Sequence, residues 1–220
     1  MEYVRKFHND VKKVLINSNV CKGHNVLDVG CGVGGDIHKW NKLELSRVDM
    51  CDPDIDSVEE AVKRIHKMKY KNMFVRHGDI LCCNGKYDVI CYNFSIQYIF
   101  EYEHIFYKSI DKIVELLKRN GGKLIGCIPD SDAIYKKVPF KDKFNNEILF
   151  FDDTKNKIKV KLTDTPFYDN SEYRTEPIAF RDRLVNELEL RGLYLESWKK
   201  FPCSGEELTE MYSTFIFVKV

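Results

Sequence analysis

The chain has no long apolar run. Its longest stretch without a charged residue, Val89–Phe100, is 12 residues and contains Asn93, Ser95 and Gln97, too short and too polar to span a bilayer. No basic-then-apolar leader opens it, so membrane and secretory readings are set aside. It also has no excess of either charge. Thirty-five Lys and Arg stand against 34 Asp and Glu, so any attraction to nucleic acid must come from local clustering. The eight cysteines form no C-x-x-C pair and no His-rich segment accompanies them, which argues against zinc-ribbon and thioredoxin-like chemistry. Cys51, Cys91 and Cys127 lie within apolar runs, where a free thiol packs as a small hydrophobe. A reducing compartment is expected. His38, His66 and His104 show no metal spacing, so no metal site is expected and these histidines are assigned to the surface.

What the chain does have is an alternation of periods over 220 residues, 44% of them hydrophobic, the size of one globular domain. Val4, Phe7, Val11, Val14 and Leu15 fall on one face of an N-terminal basic helix, residues 2–16. Asn25–Val29 reads as a strand, Gly35–Leu43 as a helix and Ser46–Cys51 as a second strand. Ile55, Val58, Val62, Ile65 and Met68 line one face of the next helix. Met73–Arg76 and Tyr87–Tyr92 read as strands, His104–Lys118 as a helix stopped by Asn120-Gly121-Gly122, and Lys123–Ile128 as a strand. Ile178–Arg191 is helical, Leu193–Lys199 is a strand, and Tyr212–Val220 is a last strand paired as a hairpin. The reading is a single α/β domain, 1–220, with seven strands in a mostly parallel sheet and helices on both faces. A charged segment at about 140–170, with strand-like runs Ile148–Phe151 and Ile158–Leu162, looks like an insertion rather than a domain.

The sharpest local feature is Val26-Leu27-Asp28-Val29-Gly30-Cys31-Gly32-Val33-Gly34-Gly35-Asp36. Gly30, Gly32 and Gly35 satisfy G-x-G-x-x-G between a strand and a helix, a weak signal for a dinucleotide. The carboxylates redirect it. A pyrophosphate wants a helix N-terminus free of competing negative charge, yet Asp28 and Asp36 flank this loop. S-adenosylmethionine (SAM), with a sulfonium and an ammonium and no phosphate, fits better. Asp52, 22 residues after Gly30 at the end of the second strand, can accept both ribose hydroxyls. Asp79, after the third strand, is placed to accept from the adenine amino group. Each carboxylate has a bland alternative, in loop amides, a helix cap or a turn, but one at each strand end favours a Rossmann-like SAM-dependent methyltransferase fold. Cys31 reads as a small residue tolerated in the loop.

Five blocks in order resemble a narrower family, the mRNA cap guanine-N7 methyltransferases. Arg5–Ile16 is similar to R-N-F-N-N-W-x-K-x-x-L-I, and Val26–Trp40 to V-L-D-L-G-C-G-K-G-G-D-L-x-K-W. Phe94–Glu101 is similar to F-x-x-H-Y-x-F-E, Gly121–Asp130 to G-G-x-F-I-G-T-x-P-(D/N), and Tyr212–Phe217 to Y-x-x-F-x-F. The resemblance implies that Lys12 reaches the SAM carboxylate, Gly30 gives backbone contacts, Asp52 takes the ribose, Asp79 the adenine, and Asn93 the methionine end. For the cap it implies Asn9 and Arg64 near the phosphates, and Gln97, Tyr98, Glu176 and Tyr212 around the guanine. Val33 replaces a lysine frequent in the family, and Gln97 a histidine. Arg174-Thr175-Glu176-Pro177 matches P-E-(F/Y)-L-V poorly.

The activity so implied moves a methyl group from SAM to N7 of the guanine cap, leaving S-adenosylhomocysteine, with no metal. N7 carries a lone pair and no proton, so no acid–base residue is expected, only alignment and electrostatics. The implied partners are the capped 5′ end of mRNA and the triphosphatase and guanylyltransferase domains of a longer capping enzyme. The Lys- and Asn-rich character resembles that of large cytoplasmic DNA viruses of the African swine fever type, implying a cytoplasmic, viral-factory or virion location. Two other readings stay open. One is a small-molecule SAM-dependent methyltransferase, which a capped dinucleotide would not inhibit. The other is a non-catalytic methyltransferase-like domain binding RNA or a partner, which would not bind SAM.

Overall fold

The chain of the computed structural model, described for residues 2–163, 172–203 and 205–220, opens with α1 (Glu2–Asn19), β1 (Asn25–Val29), α2 (Ile37–Asn41), β2 (Arg47–Asp52), α3 (Ile55–Met68) and β3 (Met73–His77). It continues through β4 (Val89–Asn93), α4 (Glu103–Leu116), β5 (Lys123–Pro129), α5 (Ser131–Lys137), β6 (Phe140–Lys141), β7 (Glu147–Phe150) and β8 (Lys157–Lys161). Last come β9 (Arg174–Pro177), α6 (Arg181–Glu189), β10 (Leu193–Lys200) and β11 (Tyr212–Lys219). Seven strands form one sheet in the order β10-β11-β5-β4-β1-β2-β3. The five from β3 to β5 run parallel, and β11 lies antiparallel between β5 and β10. The expected seven-stranded, mostly parallel sheet is the one found.

Alternation along each strand sends successive side chains to opposite faces. Val26, Val48, Met50, Val89 and Cys91 pack with Leu15, Ile16, Ile37, Trp40 and Ile65 from α1, α2 and α3. Leu27, Val29, Ile90, Tyr92 and Leu124 pack on the other face with Phe106, Ile110 and Ile113 of α4 and Leu184 and Leu188 of α6. Each such fully buried side chain contributes about 1.5–3 kcal/mol. Gly126 shows how tight the middle is. A Cβ there would lie 2.0 Å from the Tyr92 carbonyl oxygen and 2.5 Å from the Phe215 ring.

The expected insertion is more organised than its charge suggested. Strands β6, β7, β8 and β9 form a separate four-stranded antiparallel sheet. Its buried residues Phe140, Ile148, Ile158 and Val160 cluster with Ile134 of α5 and with Leu208 and Met211. The fourth strand, Arg174–Pro177, lies beyond the expected boundary, and residues 164–170 of the expected insertion lie outside those described. Other boundaries shift by a few residues. The first helix continues to Asn19, the helix expected from Gly35 begins at Ile37, and α5 follows directly on β5.

Candidate active site

The cleft opens at the carboxyl ends of β1, β2, β3 and β4, where parallel α/β sheets present their loops. Gly30, with φ +72°, turns the chain out of β1, and a Cβ there would lie 2.4 Å from Ser95 Cβ. Only glycine allows that approach. Ser95 Oγ in turn donates to the Val29 carbonyl at 2.6 Å, locking the ends of β1 and β4 together. Phe94 between them takes a left-handed backbone, φ +63°, uncommon for an aromatic residue and characteristic of functional turns.

One side of the cleft is a buried charge cluster. Asp36 lies 2.9 Å from the Lys12 ammonium, also pairs with Lys39, and accepts from Asn93 Nδ2 at 2.9 Å. Burial opposes both charges of the Lys12–Asp36 pair. Mutual attraction outweighs it, raising the Lys12 pKa and lowering that of Asp36. Asp28 lies beneath and accepts from Trp40 Nε1 at 2.8 Å. Burial, with the Asp36 charge beside it, pushes its carboxyl up to about 7. Asn93 Oδ1 is buried with no hydrogen-bond partner among the described residues, an acceptor open to a cationic ligand.

Asp52 and Asp79 stand farther along. Asp52 accepts from Gly32 N at 2.7 Å and Asp54 N at 3.0 Å, and Asp79 accepts from Leu81 N at 2.9 Å. Asp79, Gly30, Pro53, Tyr92, Ser95 and Tyr98 line a cavity of about 120 Å³. Tyr92 brings a buried hydroxyl without a partner among the described residues.

At the other end Gln97 Nε2 donates to Glu176 Oε2 at 3.3 Å and to the Phe94 carbonyl at 3.1 Å. Tyr98, half exposed, is held by burial and by Glu176 well above the usual tyrosine range. Tyr212 shifts the same way, through burial and then the charge of Glu176. Gln97, Tyr98, Glu176 and Tyr212 therefore meet, although they come from a 3-10 turn, the second sheet and the start of β11. Asn9 accepts from Lys39 at 3.1 Å and so joins the Asp36 cluster. Arg64 stands exposed on α3, paired with Glu60 at 3.0 Å, apart from both groups.

Sequence reasoning passed over four contributors. Lys39 and Trp40 lie three and four residues after Asp36, a helical spacing that could have linked them to it. Tyr92 ends a run, Tyr87–Tyr92, that the sequence marks only as an apolar strand. His8 stacks on Phe94 at 5.3 Å and meets Phe201 and Tyr212 edge-on at 5.2 and 4.8 Å. Burial, then the Lys12 charge, pushes its imidazole down to about 4. Its place four residues after Val4 and three before Val11 puts it on the apolar face of the N-terminal helix, a spacing that could have found it. His38, His66 and His104 are exposed as expected, and no metal-binding group occurs among the described residues.

The chain matches the model of the mRNA (guanine-N(7))-methyltransferase domain over residues 1–176. It is 31% identical over 182 residues to the mRNA cap guanine-N(7) methyltransferase of Schizosaccharomyces pombe, covering 74% of this chain and 48% of that protein. The Saccharomyces cerevisiae protein of the same name is 30% identical over 159 residues, covering 66% and 36%. The chain thus spans half or less of the length of these curated relatives. Among solved structures it is similar to PH0226 from Pyrococcus horikoshii, with TM-score 0.72 and 15% identity over 99% of this chain and 91% of that one. It is also similar to the glycopeptide N-methyltransferase MtfA complexed with SAM, with TM-score 0.66 and 13% identity over 97% and 94%. At such identities these show the fold.

Proposed function

As a member of the mRNA (guanine-N(7))-methyltransferase family, to which this chain belongs, we propose that it methylates N7 of the guanine cap of mRNA with SAM as donor. The observation that carries this reading is the meeting of Gln97, Tyr98, Glu176 and Tyr212 at one end of a cleft. Its other end holds Lys12, Asp52, Asp79 and Asn93.

The residues present fit the cofactor. The unpartnered Asn93 Oδ1 suits an ammonium, the Lys12 ammonium a carboxylate, Asp52 a ribose diol and Asp79 an adenine amino group. When bound, SAM supplies an electrophilic methyl on a sulfonium sulfur. The protein's part is to hold the acceptor. Glu176 accepts from the guanine N1–H and amino group, and Tyr98 and Tyr212 wall the base. The Glu176 carboxylate also offsets positive charge arriving on the purine. No side chain needs to remove a proton, and His8, neutral near pH 7, is not required as a base.

This chemistry needs a substrate already carrying a guanylyl cap, so triphosphatase and guanylyltransferase activities precede it, on the same polypeptide or a partner. A reducing, cytoplasmic setting belongs to the same proposal, because every cysteine described is a free thiol. Transfer of labelled methyl from SAM to capped but not uncapped RNA, with digestion releasing 7-methylguanosine, tests it. Label elsewhere on the transcript, or equal labelling without a cap, would overturn it.

A further inference from the structure

The second sheet has an outer face that the cleft does not use. Ile158 and Val160 of β8 point into its core, so Lys157, Lys159 and Lys161 point outward. Lys157 pairs with Glu101. Lys159 and Lys161 have no carboxylate within 4 Å among the described residues, and each instead lies over an aromatic ring. Lys159 is 5.1 Å from the centre of Phe151, and Lys161 is 5.8 Å from that of Tyr173. Both rings are exposed, at 44% and 40%. Glu147, beside Lys161 in register, is engaged by Lys141 at 3.4 Å and by the Tyr173 hydroxyl.

This face also connects to the cleft. Arg174 and Glu176 lie two apart on β9 and so share a face, whereas Tyr173 takes the other. Arg174 is exposed and acts electrostatically on Tyr98. Tyr173 adjoins Arg174 at the entry to β9, where the two faces meet at the sheet edge, and Lys161 lies over the Tyr173 ring. Cations interleaved with exposed rings bind single-stranded nucleic acid, phosphates on the cations and bases on the rings. An acidic protein surface would use the lysines and leave the rings without a role.

We infer that the outer face formed by Tyr173, Lys161, Lys159 and Phe151 is a platform for single-stranded RNA, carrying the transcript that follows the cap. The assignment rests on the cap reading of the cleft, but its test needs no cap. An uncapped 5′-hydroxyl 12-nucleotide RNA is titrated with the full chain by fluorescence anisotropy over a range of salt. Replacing both Lys159 and Lys161 by Gln should lower the slope of log affinity against log salt by about 1.4. Replacing both Phe151 and Tyr173 by Ala should weaken binding about tenfold or more, and Tyr173→Phe should leave it intact. Methylation of a capped dinucleotide should be unchanged in all of them, while the KM for a capped 12-nucleotide RNA rises in the first two. RNA binding by both double variants equal to that of the parent would overturn the platform. So would polyglutamate binding with the same affinity as RNA, with neither ligand weakened by loss of the rings. In either case dinucleotide methylation would persist, and the cap reading would stand apart from this failure.

Discussion

Gln97 donates to Glu176 across 3.3 Å, joining residues 79 positions apart, one on the turn after β4 and the other on the second sheet. The bond fixes the carboxylate facing Tyr98 and Tyr212, and no other carboxylate of β9 can take its place. Glu172, the nearest in sequence, is exposed and precedes the strand. Glu176→Ala should therefore abolish methylation of capped RNA while SAM affinity stays within about twofold of the parent. Isothermal titration with SAM and a methyl-transfer assay check the two halves. A fall in SAM affinity with cap binding intact would reassign the residue.

Asp52→Ala should weaken SAM binding by roughly 2–4 kcal/mol, through two lost charge-assisted hydrogen bonds. The same carboxylate accepts from Gly32 and Asp54 amides, so the variant should also melt lower. Calorimetric affinity equal to the parent's, in a folded variant, would remove Asp52 from the cofactor site.

Asp28 gives the cleft a pH response. Its carboxyl, held at about 7 by burial and Asp36, is protonated below that pH in the free protein. A ligand with positive charge favours the ionised form, so SAM binding should release protons and tighten as pH rises from 6 to 8. Titration in buffers of different ionisation enthalpy measures the protons. With SAM and cap both saturating, the single-turnover rate should stay nearly flat over the same window, because N7 needs no base. A tenfold rise per pH unit would point to proton removal.

His8 acts on stability with a definite sign. Its folded pKa, about 4, lies below the ordinary 6.5, so below pH 6.5 the unfolded chain binds a proton that the folded one refuses. Stability from this group is fully present above pH 6.5 and falls as the pH drops towards 4. The whole loss is roughly 3 kcal/mol. His8→Asn should flatten denaturant midpoints between pH 6.5 and 4 and leave the rate profile from pH 6 to 8 unchanged. Midpoints that decline as steeply in the variant would count against this.

The parallel half of the fold was legible because its strands are short apolar runs, and those from β1 to β3 end at a glycine or an aspartate. Val26–Val29 before Gly30 and Met50-Cys51 before Asp52 are examples. Those same breaks supplied Asp52 and Asp79, and Asp28 lies two residues before Gly30. The second sheet was harder to read. Its strands alternate Lys with Ile or Val at Lys157–Lys161, the pattern of a one-sided sheet that a charge count registers only as polar. Glu176 could be named from family resemblance, but its bond to Gln97 is a tertiary fact. Asp36 flanks the glycine loop as read. Its main bonds run to Lys12, Lys39 and Asn93 rather than to the helix amides it precedes, a choice set by packing of α1 over the loop.

The carboxylates at the two ends of the cleft belong to different sheets. Asp52 and Asp79 follow strands of the large sheet, whereas Glu176 belongs to β9 of the second sheet, which packs on the rest along a seam of Ile134, Leu208 and Met211. A transfer that depends on collinear atoms then depends on how that seam is seated, as a lathe depends on the fit of its tailstock. Trimming a methyl group from Met211 or Ile134 would leave every polar partner in place and both ligands bound. The turnover number should nonetheless fall, because looser packing at the joint becomes misalignment of the atoms held in line.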